Sequence, residues 1–514
     1  MASPLRVVAC ATLLLASVVA CAFSSVRGPN THRASTELPA TQEIRHDAPS
    51  TAITPVVSSH PGLLRVRRVP ASVEARVPRP APAPPLLEPP GLPQMILNIV
   101  LNYPDRHLRV TQHIRLVNAT DDPWDEIVFS VPPARTPGVF MLDPIAEATM
   151  EGTMLTLTMT TPVLPGEPVS ITLAYEINIP DVSPTDGHPE GNLGAGERVI
   201  QMGDWHPTLV PYLPGLGWQR WSYHAVGDPV IYPIADYDVR LYADSSIVIA
   251  APGVATRQGL LRCYELQQAR SFALLASPDY RLLEADAGGI PLRAYVLPGY
   301  AGAGQHAMDV ASRALLQFSD LFGPYPTDGL VMAQNAYSGS MEYSGLISLS
   351  RQAFEVYRGS PQALLTRLTV HEVAHQWWYG AVGSDQVHEP WLDEALARYS
   401  ELLYYERYAP DLVDWWWAAH FADVDGAIDG SIYDFDTSYD YIRQVYGQGA
   451  RFIHDVRRWL GDEQFFAFLR AYRDAGEGRL MGTDDFVTIL QAHSERDPAP
   501  LIGRYFSAGG LPIE

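Results

Sequence analysis

The chain has 514 residues, of which 47% are hydrophobic and 10% aromatic, a length and composition that suit about three domains with sizeable cores. Its net charge is −22 and all 36 basic residues are arginine, an acidic balance that argues against a nucleic-acid partner. Three cysteines, Cys10, Cys21 and Cys263, leave no intramolecular disulfide framework, and Cys263 is expected to be a buried structural thiol.

In chain order, Arg6 precedes the apolar run VVACATLLLASVVA, which has the length of a signal-peptide core and is short for a spanning helix. The run ends Val18-Val19-Ala20-Cys21. This end resembles a bacterial lipobox with Cys21 as the lipidated residue. Residues 1–21 are therefore expected to export the chain and anchor it in the cell envelope, facing outside the cytoplasm. A secretory signal cut near Ala20 and an uncleaved short anchor are the alternative readings. Residues 22–94 show no apolar period and end in a proline-rich stretch, the composition of a disordered, semi-extended linker.

Short alternating segments follow from about residue 95, among them ILNIVLNY, LRVTQHIRLVN, MLTLTMTT, VSITLAYEI and DYDVRLYAD. Turn signals separate them, so residues 95–287 are expected to form an all-β domain. Within it, GDWHPTLVPYLPGLGWQRWSYH is dense in Trp, Tyr and Pro and either packs in the core or lines a cleft. Asn118-Ala119-Thr120 is a formal glycosylation sequon. From about 288 to 514 a small β portion gives way to helical patterns near 304–322, 361–382, 391–408, 446–460, 463–474 and 484–495, an α+β domain. An Asp-rich stretch, DVDGAIDGSIYDFDTSYDY, lacks the EF-hand spacing and reads as a solvated loop.

The chemistry concentrates in His371-Glu372-Val373-Ala374-His375. On a helix, residues four apart share a face, so both imidazoles can reach one zinc ion while Glu372 sits one position round, placed to act on a water held there. Eighteen residues separate His375 from Glu394, which lies on a second helical stretch as a third ligand that leaves a fourth position open, the layout of a catalytic site. Glu401, seven residues further on, shares that helix face and is placed to orient His371. Spacing excludes a metzincin, because Trp378 and Ala381 stand where that class has Gly and His.

With these residues in place, the sequence resembles the M1 aminopeptidases from about residue 95 to the C-terminus. Gly339-Ser340-Met341-Glu342-Tyr343 looks like the family's GxMEN segment, Trp391-Leu392-Asp393-Glu394-Ala395 its WLNEG segment, and Val445-Tyr446-Gly447-Gln448-Gly449-Ala450 its YxKGA segment. The departures are Tyr343 for Asn, Asp393 for Asn and Gln448 for Lys. The resemblance implies a saddle-like all-β N-terminal domain, a mainly helical thermolysin-like catalytic domain, and a short form without the family's C-terminal helical domain. It further implies one zinc ion per chain held by His371, His375 and Glu394, and Glu372 as general base. Tyr446 is then the donor to the oxyanion, and Gly339, Met341 and Glu342 bind substrate, with Glu342 on the α-ammonium of a peptide. The activity expected is removal of N-terminal residues from peptides with a free N-terminus. A zinc endopeptidase or other hydrolase of the same fold, and a catalytically silent peptide-binding surface protein, are the competing readings.

Overall fold

Burial alternates strictly along Ala235–Tyr242, the mark of a strand with one face in a core. The same alternation runs through most of Gln94–Asn102 and His107–Val117. These strands belong to a seven-stranded sheet ordered Val254–Gln258, Leu261–Ala269, Ala235–Tyr242, Gln94–Asn102, His107–Val117, Pro168–Asn178 and Phe140–Leu142. Gln94–Asn102 and Ala235–Tyr242 run parallel, with Leu97 beside Val239. The computed structural model describes residues 91–507 apart from 146 and 421–424. The leader with Cys21 and all but the last residues of the proline-rich segment lie outside the described residues.

Two four-stranded sheets and a two-stranded one, Tyr212–Leu213 with Gly217–Trp218, complete the described β-rich N-terminal region. The aromatic segment is mostly core: Trp205 is fully buried and its indole donates to the Phe272 carbonyl at 2.9 Å. Asn118 is buried and gives its amide to the carbonyls of Asp122 and Val163 at 2.7 and 2.9 Å, so the sequon closes a loop. Cys263 departs from expectation. It is a half-buried free thiol, because its strand turns only alternate residues inward.

A five-stranded sheet then introduces the helical part, in the order Arg281–Ala287, Ile290–Val296, Leu330–Gln334, Leu346–Leu349 and Met341–Tyr343. Among the described residues, the helices of eight or more residues are α1 (Ala301–Phe322), α2 (Leu364–Ala374), α3 (Trp391–Tyr408), α4 (Val413–His420), α5 (Gly449–Leu460), α6 (Asp462–Gly476) and α7 (Thr483–Ala492). The sequence pattern reads 361–382 as one helix. The α-helix instead ends at Ala374 and continues as a π-helical turn, Gln376–Ala381. Large aromatics explain the switch: Trp377 is buried against Phe318 and Phe322 of α1 and donates to the Gly323 carbonyl at 3.0 Å.

Arg270 joins the β-rich and helical parts. The residue is 1% exposed, and its guanidinium donates to the carbonyls of Tyr232, Tyr379 and Arg479 at 2.9, 2.5 and 2.9 Å. Gly383 is required opposite it, since a Cβ there would lie 2.3 Å from the Arg270 Cζ. Burial lowers its pKa to about 10, so the group is still a cation at neutral pH. Replacing it by methionine strands several buried carbonyls, which is expected to cost about 3–5 kcal/mol. Urea unfolding of Arg270→Met against the parent chain checks this.

Candidate metal centre

Helices α2 and α3 lie side by side, and the residues that matter project from each into the gap between them. His371 and Glu372 occupy the last turn of α2, and His375 caps it. Asp393 and Glu394 stand in the first turn of α3, where unpaired backbone N–H groups and the helix dipole favour carboxylates. All five are buried, with exposures of 1–6%.

The orientation of the imidazoles is set from behind. His371 Nδ1 lies 3.0 Å from Glu401 Oε1, and His375 Nδ1 lies 2.5 Å from Asp393 Oδ1. A carboxylate can only accept, so each Nδ1 carries the proton and each Nε2 turns a lone pair inward. The two Nε2 atoms stand 3.1 Å apart, and Glu394 Oε2 is 3.2 Å from one and 3.5 Å from the other. Three acceptors converging at such distances repel unless a cation lies between them. Bonds of about 2.0–2.1 Å to a tetrahedral zinc would place ligand atoms roughly 3.3 Å apart. His371, His375 and Glu394 therefore fit a zinc site with one position left open.

Glu372 lies beside this triad with its Oε2 buried and without a partner. Burial is the main cause that raises its carboxyl above the usual range. Such an orphan oxygen inside a site is a group awaiting a proton donor from solvent or substrate.

Glu401, which sequence spacing placed behind His371, is completely buried and also accepts from Arg398 Nη1 at 2.7 Å and the Trp416 indole at 3.2 Å. Its removal frees the His371 ring to rotate. Glu401→Gln is expected to weaken zinc binding about 10- to 100-fold, measured by competition with a chromophoric chelator.

Asp393, read from sequence only as a departure, turns out to be the partner of His375 and accepts from Gln386 Nε2 at 2.5 Å. Gln386 also faces Glu342 Oε1 at 3.4 Å. The edge strand Met341–Tyr343 carries Glu342, and Gln376 fixes that strand to the end of α2. Its side chain accepts from Gly345 N at 2.9 Å and donates to Tyr343 O at 3.1 Å. Glu342, Glu372 and His375 consequently offer donor atoms within 4.8 Å of one another. Tyr343 fits because Gly203 makes room: a Cβ on Gly203 would lie 2.0 Å from the Tyr343 hydroxyl. Met341 lines a cavity next to the site. Gly339 is further back, packed so tightly on His188 that a Cβ would meet the imidazole at 2.6 Å.

Tyr446 arrives from the other side, on the π-helical turn Ile442–Gln448 that runs into α5. Close packing makes this approach feasible, since a Cβ on Gly449 would lie 2.6 Å from that of Ala395 on α3. The Tyr446 ring stacks on His371 at 5.7 Å and its hydroxyl donates to Glu394 Oε1 at 2.5 Å. Sequence reasoning missed Asp228, whose carboxylate approaches Glu342 and Glu394, and it assigned nothing to Gln386.

A model of the peptidase family M1 domain matches residues 306–505. The chain is 24% identical over 259 residues to the alanine/arginine aminopeptidase of Saccharomyces cerevisiae, covering 46% of this chain and 30% of that relative. It is 26% identical over 230 residues to aminopeptidase N of Lactococcus lactis subsp. lactis, covering 40% of this chain and 27% of the relative. The matched region thus spans under a third of these relatives' length. Among solved structures, an M1 zinc metallopeptidase from Deinococcus radiodurans shares the fold, with a TM-score of 0.57 at 19% identity over 82% of this chain and 96% of that one.

Proposed function

We propose, from the premise that residues 306–505 of this chain belong to peptidase family M1, that the protein is a zinc-dependent aminopeptidase. It would remove residues from the free N-termini of peptides. One observation carries the reading: the Nε2 atoms of His371 and His375 converge with Glu394 Oε2 while Glu401 and Asp393 hold the rear of each ring. A bound zinc would polarise the scissile carbonyl and make water a competent nucleophile near neutral pH.

The chain's own groups supply the remaining steps. Glu372 removes the proton of the attacking water and returns it to the departing amine. Tyr446, its hydroxyl already at Glu394 Oε1, turns its donor to the carbonyl oxygen as that oxygen becomes an anion. Glu342 pairs with the substrate's α-ammonium, which fixes the cut one residue from the end. A position outside the cytoplasm, with a lipid on Cys21, belongs to the same proposal and rests on the leader sequence. Loss of membrane fractionation in Cys21→Ser would support it, and unchanged fractionation would argue against it.

Aminoacyl fluorogenic substrates with free and N-acetylated amines test the activity. The expected result is release from free amines only, abolished by a chelator and cut at least about 10-fold by Glu342→Ala. Cleavage that ignores acetylation and survives Glu342→Ala would identify an endopeptidase instead.

A further inference from the structure

Met341, the neighbour of Glu342, lines a cavity next to the metal ligands, and most of the remaining wall comes from the β-rich part. With its solvent-open mouth the empty space amounts to about 560 Å³, room for one extended side chain. Away from the metal ligands the wall holds an acid, Asp204, and no arginine lines it; lysine is absent from the chain. Asp204 is 5% exposed, and its side-chain contact is the Asn192 amide, whose Nδ2 donates to Oδ2 at 3.3 Å. Among the described residues no group bonds Oδ1 and no cation pairs with the carboxylate. Burial pushes this carboxyl up to about 7. Such a group is costly to ionise alone and readily ionised beside a cation.

The acid is held in place from its backbone outward. Asp204 N donates to Gly191 O at 2.7 Å and Gly203 N to Asn192 O at 3.2 Å, so the two segments lie against each other. A Cβ on Gly191, whose φ is +63, would lie 3.0 Å from Asp204 O. Asn192 sits in the left-handed region at φ +47, which asparagine tolerates better than most residues. Its side chain serves three groups: Nδ2 reaches Asp204, while Oδ1 accepts from His188 Nδ1 at 3.3 Å and from the Tyr337 hydroxyl at 3.5 Å. The carboxylate is thus fixed before any ligand arrives, with one oxygen left over.

We propose that Asp204 is a specificity-determining acid, selecting peptides whose N-terminal residue is arginine or lysine. This inference rests on the aminopeptidase reading and names its substrate class. In that reading the carbonyl of the first residue lies at the metal and its amine at Glu342. The side chain between them leaves next to Met341, where the cavity begins. A guanidinium or ammonium carried into the cavity would meet Asp204, donate to its free oxygen and favour its ionised form. An apolar side chain leaves the acid unpaired, and a glutamyl side chain repels it.

Arginine and citrulline differ in the charge of one terminal group at nearly equal shape, so kcat/KM for arginyl and citrullyl fluorogenic substrates isolates the interaction. Zinc-loaded wild type should prefer arginyl about 10- to 100-fold and cleave a glutamyl substrate worst. Asp204→Asn should bring the arginyl-to-citrullyl ratio near one, with the loss falling on the charged substrate, and Asp204→Glu should keep part of the preference. Calorimetry with L-arginine and L-citrulline on the same preparations should show the same pattern in binding. Because burial disfavours the ionised acid, Asp204→Asn should melt no lower than wild type. A wild type indifferent between the two substrates overturns the assignment and leaves the aminopeptidase reading standing, as does a preference that survives Asp204→Asn. Equal loss on both substrates marks a structural acid and also overturns it. Release from none of the free-amine substrates, an alanyl one included, removes both readings.

Discussion

Glu372→Gln is expected to lower kcat about 10³-fold while KM and zinc content stay near the wild-type values. The substitution keeps the size of the side chain and its carbonyl-like oxygen, and removes only the ability to take a proton. Glu372 is 3% exposed on the last turn of α2, and its Oε2 bonds neither Glu401 nor Asp393, the groups that hold His371 and His375 from behind. A variant that loses activity because it loses zinc would therefore contradict the role assigned here. Burial raises the Glu372 carboxyl, which means that ionising it in place is unfavourable. The neutral amide relieves that cost, so Glu372→Gln should melt no lower than wild type. Steady-state kinetics, metal analysis and a thermal melt on one preparation separate these outcomes.

Tyr446→Phe should produce the second large effect, a fall in kcat of about 10²- to 10³-fold with little change in KM. A hydrogen bond to an oxyanion is made chiefly in the transition state, so its loss appears in turnover rather than in substrate binding. Packing does not depend on the hydroxyl. The ring is held by stacking on His371, an edge contact with Tyr441 at 5.7 Å, and the Arg398 guanidinium 5.2 Å from its centroid. Phenylalanine retains all three contacts. Equal loss of kcat and stability would point to a structural tyrosine, whereas a kinetic loss at unchanged stability fits the proposed donor.

How legible this site was in the sequence depended on whether a residue's partners were local. His371, Glu372 and His375 share one helix turn, and Glu394 and Glu401 share one face of the next helix, so spacing alone placed them. Asp393 was visible as an odd residue beside Glu394, but its contact with His375 Nδ1 required the crossing of two helices. Asp228 carried no signal, being one acid in an irregular loop far upstream of Glu342. Arg270 and Gln376 were silent for the same reason, since both act on backbone groups of distant segments. In the fold, alternation marked most strands, yet it could not tell that Gln94–Asn102 pairs in parallel with Ala235–Tyr242. Helix α4 escaped notice because it is short and rich in tryptophan, without an amphipathic period.

The measurement that tests the account most directly is zinc titration of the metal-free protein while cleavage of a free-amine aminoacyl substrate is followed. Activity should rise from zero in proportion to added zinc and level off at one equivalent per chain, with His371→Ala and His375→Ala failing to respond. Cleavage that persists without metal, or that needs a second equivalent, would contradict a single zinc held by His371, His375 and Glu394.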